Sequence, residues 1–259
     1  MARPNDLVAV LFDFLGTLAY IDGLAPDESI KAVLESLKRD GCPLAYDVFY
    51  PVYRESTLRH WKSRHGHEET YNKYWITDAL KILGIEADPD GAMITRAVEA
   101  YFEPFHRSMR PLPGALETLR VLKERYRLGL ISNFTHSPTI ISALDQLGMS
   151  PYFESVVISA EIGLRKPSSI IFEKAMTDLG LEEPEKIIFV GDDIDADIIG
   201  ALKIGMMPVL ISYCLKDDYR TRLARALEEM GDGELREIKE IRLPEELLEF
   251  LELLILLIN

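Results

Sequence analysis

The sequence predicts an α/β fold, in which helices cover a parallel β-sheet and a second, α-helical domain is inserted near the start. Three observations lead to this prediction. Short apolar runs alternate with stretches of helical period through the second half of the chain. These runs show no polar alternation, which is typical of strands buried on both faces of a parallel sheet. Residues 20–108 instead contain long helical patterns, many aromatic residues and few β-branched runs.

The predicted strands and helices of the sheet domain follow one another in a regular order. An apolar run predicts the first strand at residues 8–12. Later runs predict strands at residues 126–132, 155–159, 186–190 and 207–211. Apolar positions at helical spacing predict the intervening helices, and a glycine ends each of them, at Gly148, Gly180 and Gly205. We expect the third of these helices to span residues 194–204.

The helical segment interrupts the sheet domain after its first strand. A cluster of prolines and a glycine at residues 111–114 marks the return of the chain to the sheet. The prediction is therefore a sheet domain of residues 1–19 and 109–259, with a helical domain at residues 20–108. We expect the aromatic residues of the helical domain to form the core of a small bundle. The charged run at residues 228–240 is expected to be an exposed surface segment.

Composition and charge narrow the classes of partner. The formal net charge is -14, so the chain should repel the phosphate backbone of nucleic acids. The apolar segment at residues 247–258 contains glutamates and is shorter than the roughly 20 residues of a membrane span. We expect a buried final helix or a self-association surface, in a monomer or homodimer that binds no membrane. Cys42 and Cys214 lack metal-site or disulfide spacing, which favours reduced thiols in a cytoplasmic protein.

Polar residues follow the first predicted strand directly. Asp13 comes immediately after the apolar run, and Gly16 and Thr17 form a turn behind it. Open α/β sheets place their chemistry at the carboxyl ends of strands, and a carboxylate there can act as a nucleophile. An ordinary strand-end turn would also explain an aspartate and a glycine. Leu15, two residues after the acid, can neither donate nor accept a proton.

Two further motifs accompany later strands. Ser132 and Asn133 stand where the strand at 126–132 ends, and their side chains can hold a phosphoryl oxygen or cap the next helix. Lys166 precedes a proline and a predicted helix. Its compact charge suits the neutralisation of a phosphoryl group, although a surface lysine is a common alternative.

A fourth motif is a group of three aspartates, Asp192, Asp193 and Asp197, after the strand at 186–190. Carboxylates this close repel one another unless a cation is present, and hard oxygen ligands of this kind select Mg²⁺. Capping of the next helix would need only one of them. Because each motif follows an apolar strand of a parallel sheet, we expect all four motifs to meet at one edge.

These four motifs, in this order, resemble those of the haloacid dehalogenase-like (HAD) hydrolase superfamily. The resemblance extends over nearly the whole chain. It implies that the sheet domain is a Rossmann-like core and that the helical domain is a C1-type cap. Small phosphorylated metabolites are the default substrates of such enzymes.

The resemblance also implies a set of metal ligands. Asp13 would be the nucleophile and would hold Mg²⁺ together with the backbone carbonyl of Leu15 and the carboxylate of Asp192. Asp193 would be a further ligand or a group that supports the ligands. Asp197 would give support through water or through the lysine of the third motif.

Other residues are implied as contacts of the phosphoryl group. Lys166 and Ser132 would bind the phosphoryl group, and Lys166 would also be a catalytic residue. Backbone amides near Phe14 and Asn133 would help, and Thr17 would join them. The physics agrees, because a carboxylate that attacks a phosphate dianion needs positive charge between the two groups.

Leu15 departs from the family pattern. Most phosphatases of the family carry a second aspartate there, which protonates the leaving oxygen and later activates water. Such help is worth about 10²–10⁴-fold, so ordinary alkyl phosphates should react slowly. The substrate can have a good leaving group, such as an acyl or aryl phosphate, or the chemistry can differ. A histidine of the helical domain can also supply the proton; the candidates are His60, His65, His67 and His106.

The different chemistry would be dehalogenation of 2-haloacids, through an ester on Asp13 and without a metal. Such enzymes also lack the second aspartate, but their fourth motif typically lacks the acidic cluster. The intact cluster therefore favours a Mg²⁺-dependent phosphatase with an aspartyl-phosphate intermediate. A non-catalytic phosphate-binding regulator is a third interpretation. The joint presence of Asp13, Ser132 and Lys166 disfavours it.

Overall fold

A computed structural model describes residues 7–25, 27–215, 218–229 and 238–256. The chain divides into two compact units. The sheet unit comprises Met1–Tyr20, Arg110–Asn133 and Leu144–Asn259. The helical unit comprises Ile21–Met109 and Phe134–Ala143.

The strands are numbered in chain order. They are β1 (Ala9–Phe12), β2 (Ala19–Ile21), β3 (Met109–Pro111), β4 (Arg127–Ser132), β5 (Ser155–Ile158), β6 (Ile187–Gly191), β7 (Met207–Ile211) and β8 (Lys239–Ile241). Six of them form one parallel sheet in the order β5-β4-β1-β6-β7-β8, and β2 pairs with β3. The predicted α/β fold with a parallel sheet is confirmed.

The helices are likewise numbered in chain order. They are α1 (Glu28–Arg39), α2 (Tyr46–Lys62), α3 (Asn72–Ile82), α4 (Ala92–Ser108), α5 (Ala115–Lys123), α6 (Ser137–Gln146), α7 (Ser159–Ile162), α8 (Ser169–Asp178), α9 (Ile199–Ile204), α10 (Tyr219–Glu229) and α11 (Glu246–Leu256). Among the described residues, no helix is both long enough and apolar enough to cross a membrane.

The central strands end at the same level of the sheet. Phe12, the last residue of β1, pairs with Leu130 of β4 on one side and with Val190 of β6 on the other. All four residues of β1 are buried, as the continuous apolar run predicts for a strand covered on both faces. This register brings the residues that follow β1, β4 and β6 to one edge.

The segment predicted to be a helix over residues 194–204 is helical throughout, but it changes type along its length. Residues 194–198 form a wide π-type turn, and α9 follows it. The amide N–H of Ile198 donates to the carbonyl of Asp193, five residues back. The Asp193 side chain accepts hydrogen bonds from the backbone amides of Asp195 and Ala196. These contacts widen the turn at the place where it carries Asp197.

The charged run at 228–240 was expected to be an exposed surface segment, and its described residues Glu228, Glu229 and Lys239 are exposed. Residues 239–241 form β8, the edge strand of the sheet, and Ile241 is buried. Residues 230–237 lie outside the described part of the chain. The final apolar segment begins as α11, in which Leu247 and Leu251 are buried and Leu253 is exposed. Residues 257–259 also lie outside the described part.

The helical unit has a core of its own. Apolar side chains of α1, α2, α3 and α4 form one buried cluster, which includes Phe49, Trp75 and Phe102. Residues 134–143, which the sequence analysis placed in the sheet domain, group with this unit. The ring of His136 stacks on Phe102 at 4.7 Å between centroids. The Thr135 hydroxyl donates to the Asn72 side-chain carbonyl at 2.5 Å.

Candidate active site

Asp13 stands at the end of β1, where the sheet holds its backbone. Its amide N–H donates to the carbonyl of Val190 in β6 at 2.9 Å, and only 8% of the residue is exposed. The chain then turns at Gly16, whose φ is +93°. A side chain at this position would place its Cβ 2.2 Å from Oδ2 of Asp192, so the close approach requires glycine.

The ammonium group of Lys166 lies at the centre of the site. Its Nζ is 2.6 Å from Oδ1 of Asp13, 2.7 Å from Oδ1 of Asp197 and 2.7 Å from the backbone carbonyl of Ile131. Burial would lower the pKa of Lys166, but the charges of the two carboxylates outweigh it and raise that pKa. Lys166 is therefore a buried cation that holds the side chain of Asp13 in place.

Three carboxylates converge around this cation. Asp13, Asp192 and Asp197 each offer an oxygen, and these oxygens lie within 4.8 Å of one another. Burial, followed by the charges of Asp13 and Asp197, raises the pKa of Asp192 well above its usual range. Burial also raises the pKa of Asp197, although Lys166 opposes the shift. The cluster thus has excess negative charge in a poorly solvated place, and its donor set fits a hard divalent cation such as Mg²⁺.

Asp193 has a different environment from the other aspartates. It is exposed, and its Oδ1 accepts hydrogen bonds from the amides of Asp195 and Ala196, both at 2.9 Å. It therefore caps the π-type turn. Its own amide donates to Oδ2 of Asp197 at 3.0 Å, so the turn also orients that carboxylate.

The remaining predicted residues lie at the same strand ends. Ser132 is buried at the end of β4, and Thr17 is buried with its hydroxyl 3.5 Å from Oδ1 of Asp192. The Asn133 side chain pairs with the backbone of Lys166: its Oδ1 accepts from the Lys166 amide at 2.8 Å and its Nδ2 donates to the Lys166 carbonyl at 3.0 Å. Asn133 thereby fixes the loop that carries the lysine.

A cavity of about 210 Å³ unites these residues. It is lined by Asp13, Leu15, Ser132, Asn133, Arg165, Lys166, Asp192, Asp193, Ala196 and Asp197. Sequence reasoning did not select Arg165, because one arginine beside a lysine carries no specific signal. It also did not select the ring of Phe189, which lies 5.2 Å from the Lys166 ammonium.

Comparison with known proteins identifies the family of this site. The model of the haloacid dehalogenase-like hydrolases matches residues 7–205. The chain belongs to this family. A glyceraldehyde 3-phosphate phosphatase of Methanothermobacter thermautotrophicus is 31% identical over 91% of this chain and 99% of its own length. A ribulose-1,5-bisphosphate 5-phosphatase of Halopiger xanaduensis is 28% identical over 85% of this chain and 91% of its own.

Solved structures of the family share the fold. A HAD phosphatase from Thermococcus onnurineus superposes with a TM-score of 0.63, at 21% identity over 95% of this chain and 98% of its own. A 2-haloacid dehalogenase from Pseudomonas syringae has the same TM-score, identity and coverage. The likeness in fold therefore does not discriminate between the two chemistries.

The predictions of the superfamily and of a hydrolytic enzyme are confirmed by the family match. The histidines proposed as proton donors all lie in the helical unit. His60 is paired with Asp78 at 2.8 Å, and His106 with the hydroxyl of Ser142 at 2.9 Å. His65 and His67 are exposed. The proton donor and the cap role of the helical unit stay predictions.

Proposed function

We propose that this protein is a Mg²⁺-dependent phosphatase that hydrolyses small phosphorylated metabolites through an aspartyl-phosphate on Asp13. The observation that carries the proposal is the buried ion pair between Asp13 and Lys166 beside an acidic cluster at the strand ends. The relatives named above support the substrate class, because a glyceraldehyde 3-phosphate phosphatase and a ribulose-1,5-bisphosphate 5-phosphatase act on small sugar phosphates.

Asp13 has the properties that a nucleophile needs. Its Oδ1 lies 2.6 Å from the Lys166 ammonium, so the direction of the carboxylate is fixed. In the first step a carboxylate oxygen bonds to phosphorus, the ester P–O bond breaks, and the leaving oxygen takes the electron pair. In the second step water attacks the phosphorus of the acyl phosphate and frees inorganic phosphate and Asp13.

Asp13, Asp192 and the backbone carbonyl of Leu15 are the proposed holders of the metal ion. Bound Mg²⁺ would neutralise phosphoryl oxygens and the carboxylates that surround them. Asp197 supports this arrangement through its ion pair with Lys166 at 2.7 Å. Asp193 supports it by capping the turn that carries Asp197, and we propose this role ahead of direct ligation.

Ser132, Asn133 and Thr17 are the proposed contacts of the phosphoryl group. Ser132 lines the cavity at the end of β4. The side chain of Asn133 is engaged by the backbone of Lys166, so its backbone amide is the donor we assign to the substrate. Thr17 is the third proposed contact, and its hydroxyl lies 3.5 Å from Oδ1 of Asp192.

The apolar side chain at Leu15 limits the range of substrates. Leu15 lines the cavity and cannot protonate a leaving oxygen. Fast turnover therefore requires a leaving group that departs as an anion, or a proton from elsewhere. We propose that the helical unit is a C1-type cap of the family, and its histidines remain the candidates for that proton.

Dehalogenation is the second candidate, and Leu15 is the observation that favours it. The acidic cluster argues against it, because displacement of halide from carbon needs no divalent cation. A site built for a metal would then have no purpose. We therefore place phosphate ester hydrolysis ahead of dehalogenation.

One assay separates these functions. Purified protein is incubated with p-nitrophenyl phosphate and acetyl phosphate, in Mg²⁺ and in EDTA, and halide release from L-2-chloropropionate is measured in parallel. Both phosphates have good leaving groups, so Leu15 cannot hide an activity. We expect Mg²⁺-dependent phosphate release and no halide. Halide release that persists in EDTA would instead establish the dehalogenase.

A further inference from the structure

The ammonium group of Lys166 is already engaged by groups of the protein. An ammonium group has three N–H donors. The Lys166 ammonium has three oxygen partners, on Asp13, Asp197 and Ile131, at 2.6 to 2.7 Å. Only the contacts with Asp13 and Ile131 are hydrogen bonds, so the lysine can offset the charge of an arriving phosphate but keeps at most one donor for it.

The charges that line the cavity show why another cation is needed. Its lining contains the carboxylates of Asp13, Asp192, Asp193 and Asp197 and the cationic residues Lys166 and Arg165. Counted without Arg165, Lys166 and one divalent cation would still leave this set with one negative charge. The two negative charges of a phosphate monoester would then arrive without a donor of their own, in a place where burial makes unpaired charge costly.

Arg165 is the lining residue suited to this task. It is half-buried in the loop between α7 and α8, next to Lys166 in sequence. A guanidinium has five N–H donors in a planar fork, so a contact with the protein leaves donors for a ligand. This fork matches two oxygens of a phosphoryl group better than an ammonium does.

We infer that Arg165 binds the phosphoryl group of the substrate with two parallel hydrogen bonds. The cavity of about 210 Å³ is small, so a group at its wall is within reach of a phosphoryl group inside it. Because every phosphate ester substrate carries a phosphoryl group, Arg165 would contact all of them in the same way. This inference deepens the proposed function and rests on it for the identity of the ligand.

Direct binding of inorganic phosphate tests the inference without turnover. Calorimetry in Mg²⁺ buffer compares the wild type with Arg165→Gln, and thermal melting confirms that the variant folds. We expect about 10-fold weaker binding or more, the loss of charge-assisted hydrogen bonds. Arg120→Gln is the matched control, because Arg120 pairs with Glu117 on α5 and does not line the cavity; its phosphate affinity should match the wild type.

Arg165→Lys covers the case in which the glutamine variant does not fold. Lysine keeps the charge but has no planar fork, so phosphate should bind several-fold more weakly than to the wild type. Wild-type affinity in either folded variant would overturn the inference. Kinetics with p-nitrophenyl phosphate and phosphoglycolate then give a second check: both substrates should lose affinity equally, and a loss confined to the carboxylate-bearing substrate overturns the phosphoryl contact.

The design separates the two proposals. A wild type that binds inorganic phosphate through Arg165 but releases none from p-nitrophenyl phosphate would retain the binding inference and refute the phosphatase. If the wild type and the Arg165 variants hydrolyse phosphates equally well, the phosphatase is retained and the binding inference is refuted.

Discussion

At the scale of single residues, Asp13 decides whether the chain is an enzyme of the proposed type. Asp13→Asn keeps the size of the side chain but removes the nucleophilic charge. Turnover of p-nitrophenyl phosphate should fall by at least about 10³-fold. The fold should survive, because Lys166 keeps Asp197 as its charged partner at 2.7 Å. Asp195→Asn, an exposed neighbour outside the cavity, is the control; activity retained in Asp13→Asn would exclude the nucleophile role.

Leu15 offers a test in the opposite direction, a gain of function. Leu15→Asp places an ionisable group at the cavity wall, where the family's general acid would stand. Hydrolysis of an alkyl phosphate such as glycerol phosphate should rise by up to about 10²-fold, since proton donation helps poor leaving groups most. Hydrolysis of p-nitrophenyl phosphate should change little. Leu15→Asn, which cannot donate a carboxylic proton, should give no gain, and an equal gain in both would refute the explanation.

At the scale of elements, the turn after β1 depends on Gly16. Gly16→Ala would press a Cβ to 2.2 Å from Asp192 Oδ2, besides the strain of a φ of +93°. We expect Mg²⁺ affinity to fall at least about 10-fold, because Asp192 is pushed aside. Gly148→Ala is the matched control: its φ is +70° and its Cβ meets nothing within 4 Å. It should lose only about 1 kcal/mol of stability and no Mg²⁺ affinity.

The cap of the π-type turn is the second element that can be tested. Asp193→Ala removes the acceptor for the amides of Asp195 and Ala196, which should cost about 1 kcal/mol in denaturant unfolding. Asp193→Ser restores an acceptor and should recover most of that stability. Both variants should keep nearly wild-type Mg²⁺ affinity; a similar large loss in both would make Asp193 a direct metal ligand.

The same elements show how much the sequence determines. Strand β7 has the predicted bounds, and β6 is shifted by one residue. A continuous apolar run is buried on both faces only as a strand inside a parallel sheet, so its position in the sequence predicts the strand. The π-type turn was not predictable, because it depends on where Asp197 meets Lys166, 31 positions earlier in the chain. Strand β8 has no apolar run to reveal it: it lies at the sheet edge, where pairing with β7 overrides its charged sequence.

The candidate site was predicted in its composition rather than in its contacts. Parallel strands ending together place Asp13, Ser132 and Asp192 at one edge, which the order of strands and motifs alone implies. The partners of each side chain depend on distances that no local pattern encodes. Asn133 thus pairs with the backbone of Lys166, and Arg165 lines the cavity, although neither contact has a sequence signal.

At the scale of the whole molecule, the acidic cluster predicts that metal binding raises stability. Without a cation, Asp13, Asp192 and Asp197 repel one another in a buried place, which destabilises the folded state. A cation that binds only the folded state stabilises it by about 2.7 kcal/mol at a hundred times its Kd. For a chain of this size the Tm should rise by about 5–10 °C when Mg²⁺ replaces EDTA.

The variant Asp192→Asn makes this last prediction specific to the cluster. It removes one of the repelling carboxylates, so its Tm in EDTA should equal or exceed that of the wild type. It also removes a proposed ligand, so Mg²⁺ should raise its Tm far less. Scanning calorimetry of both proteins, each in EDTA and in Mg²⁺, measures the four values. An equal Mg²⁺ shift in the two proteins would mean that the ion acts elsewhere, and the cluster would lose its role as the metal site.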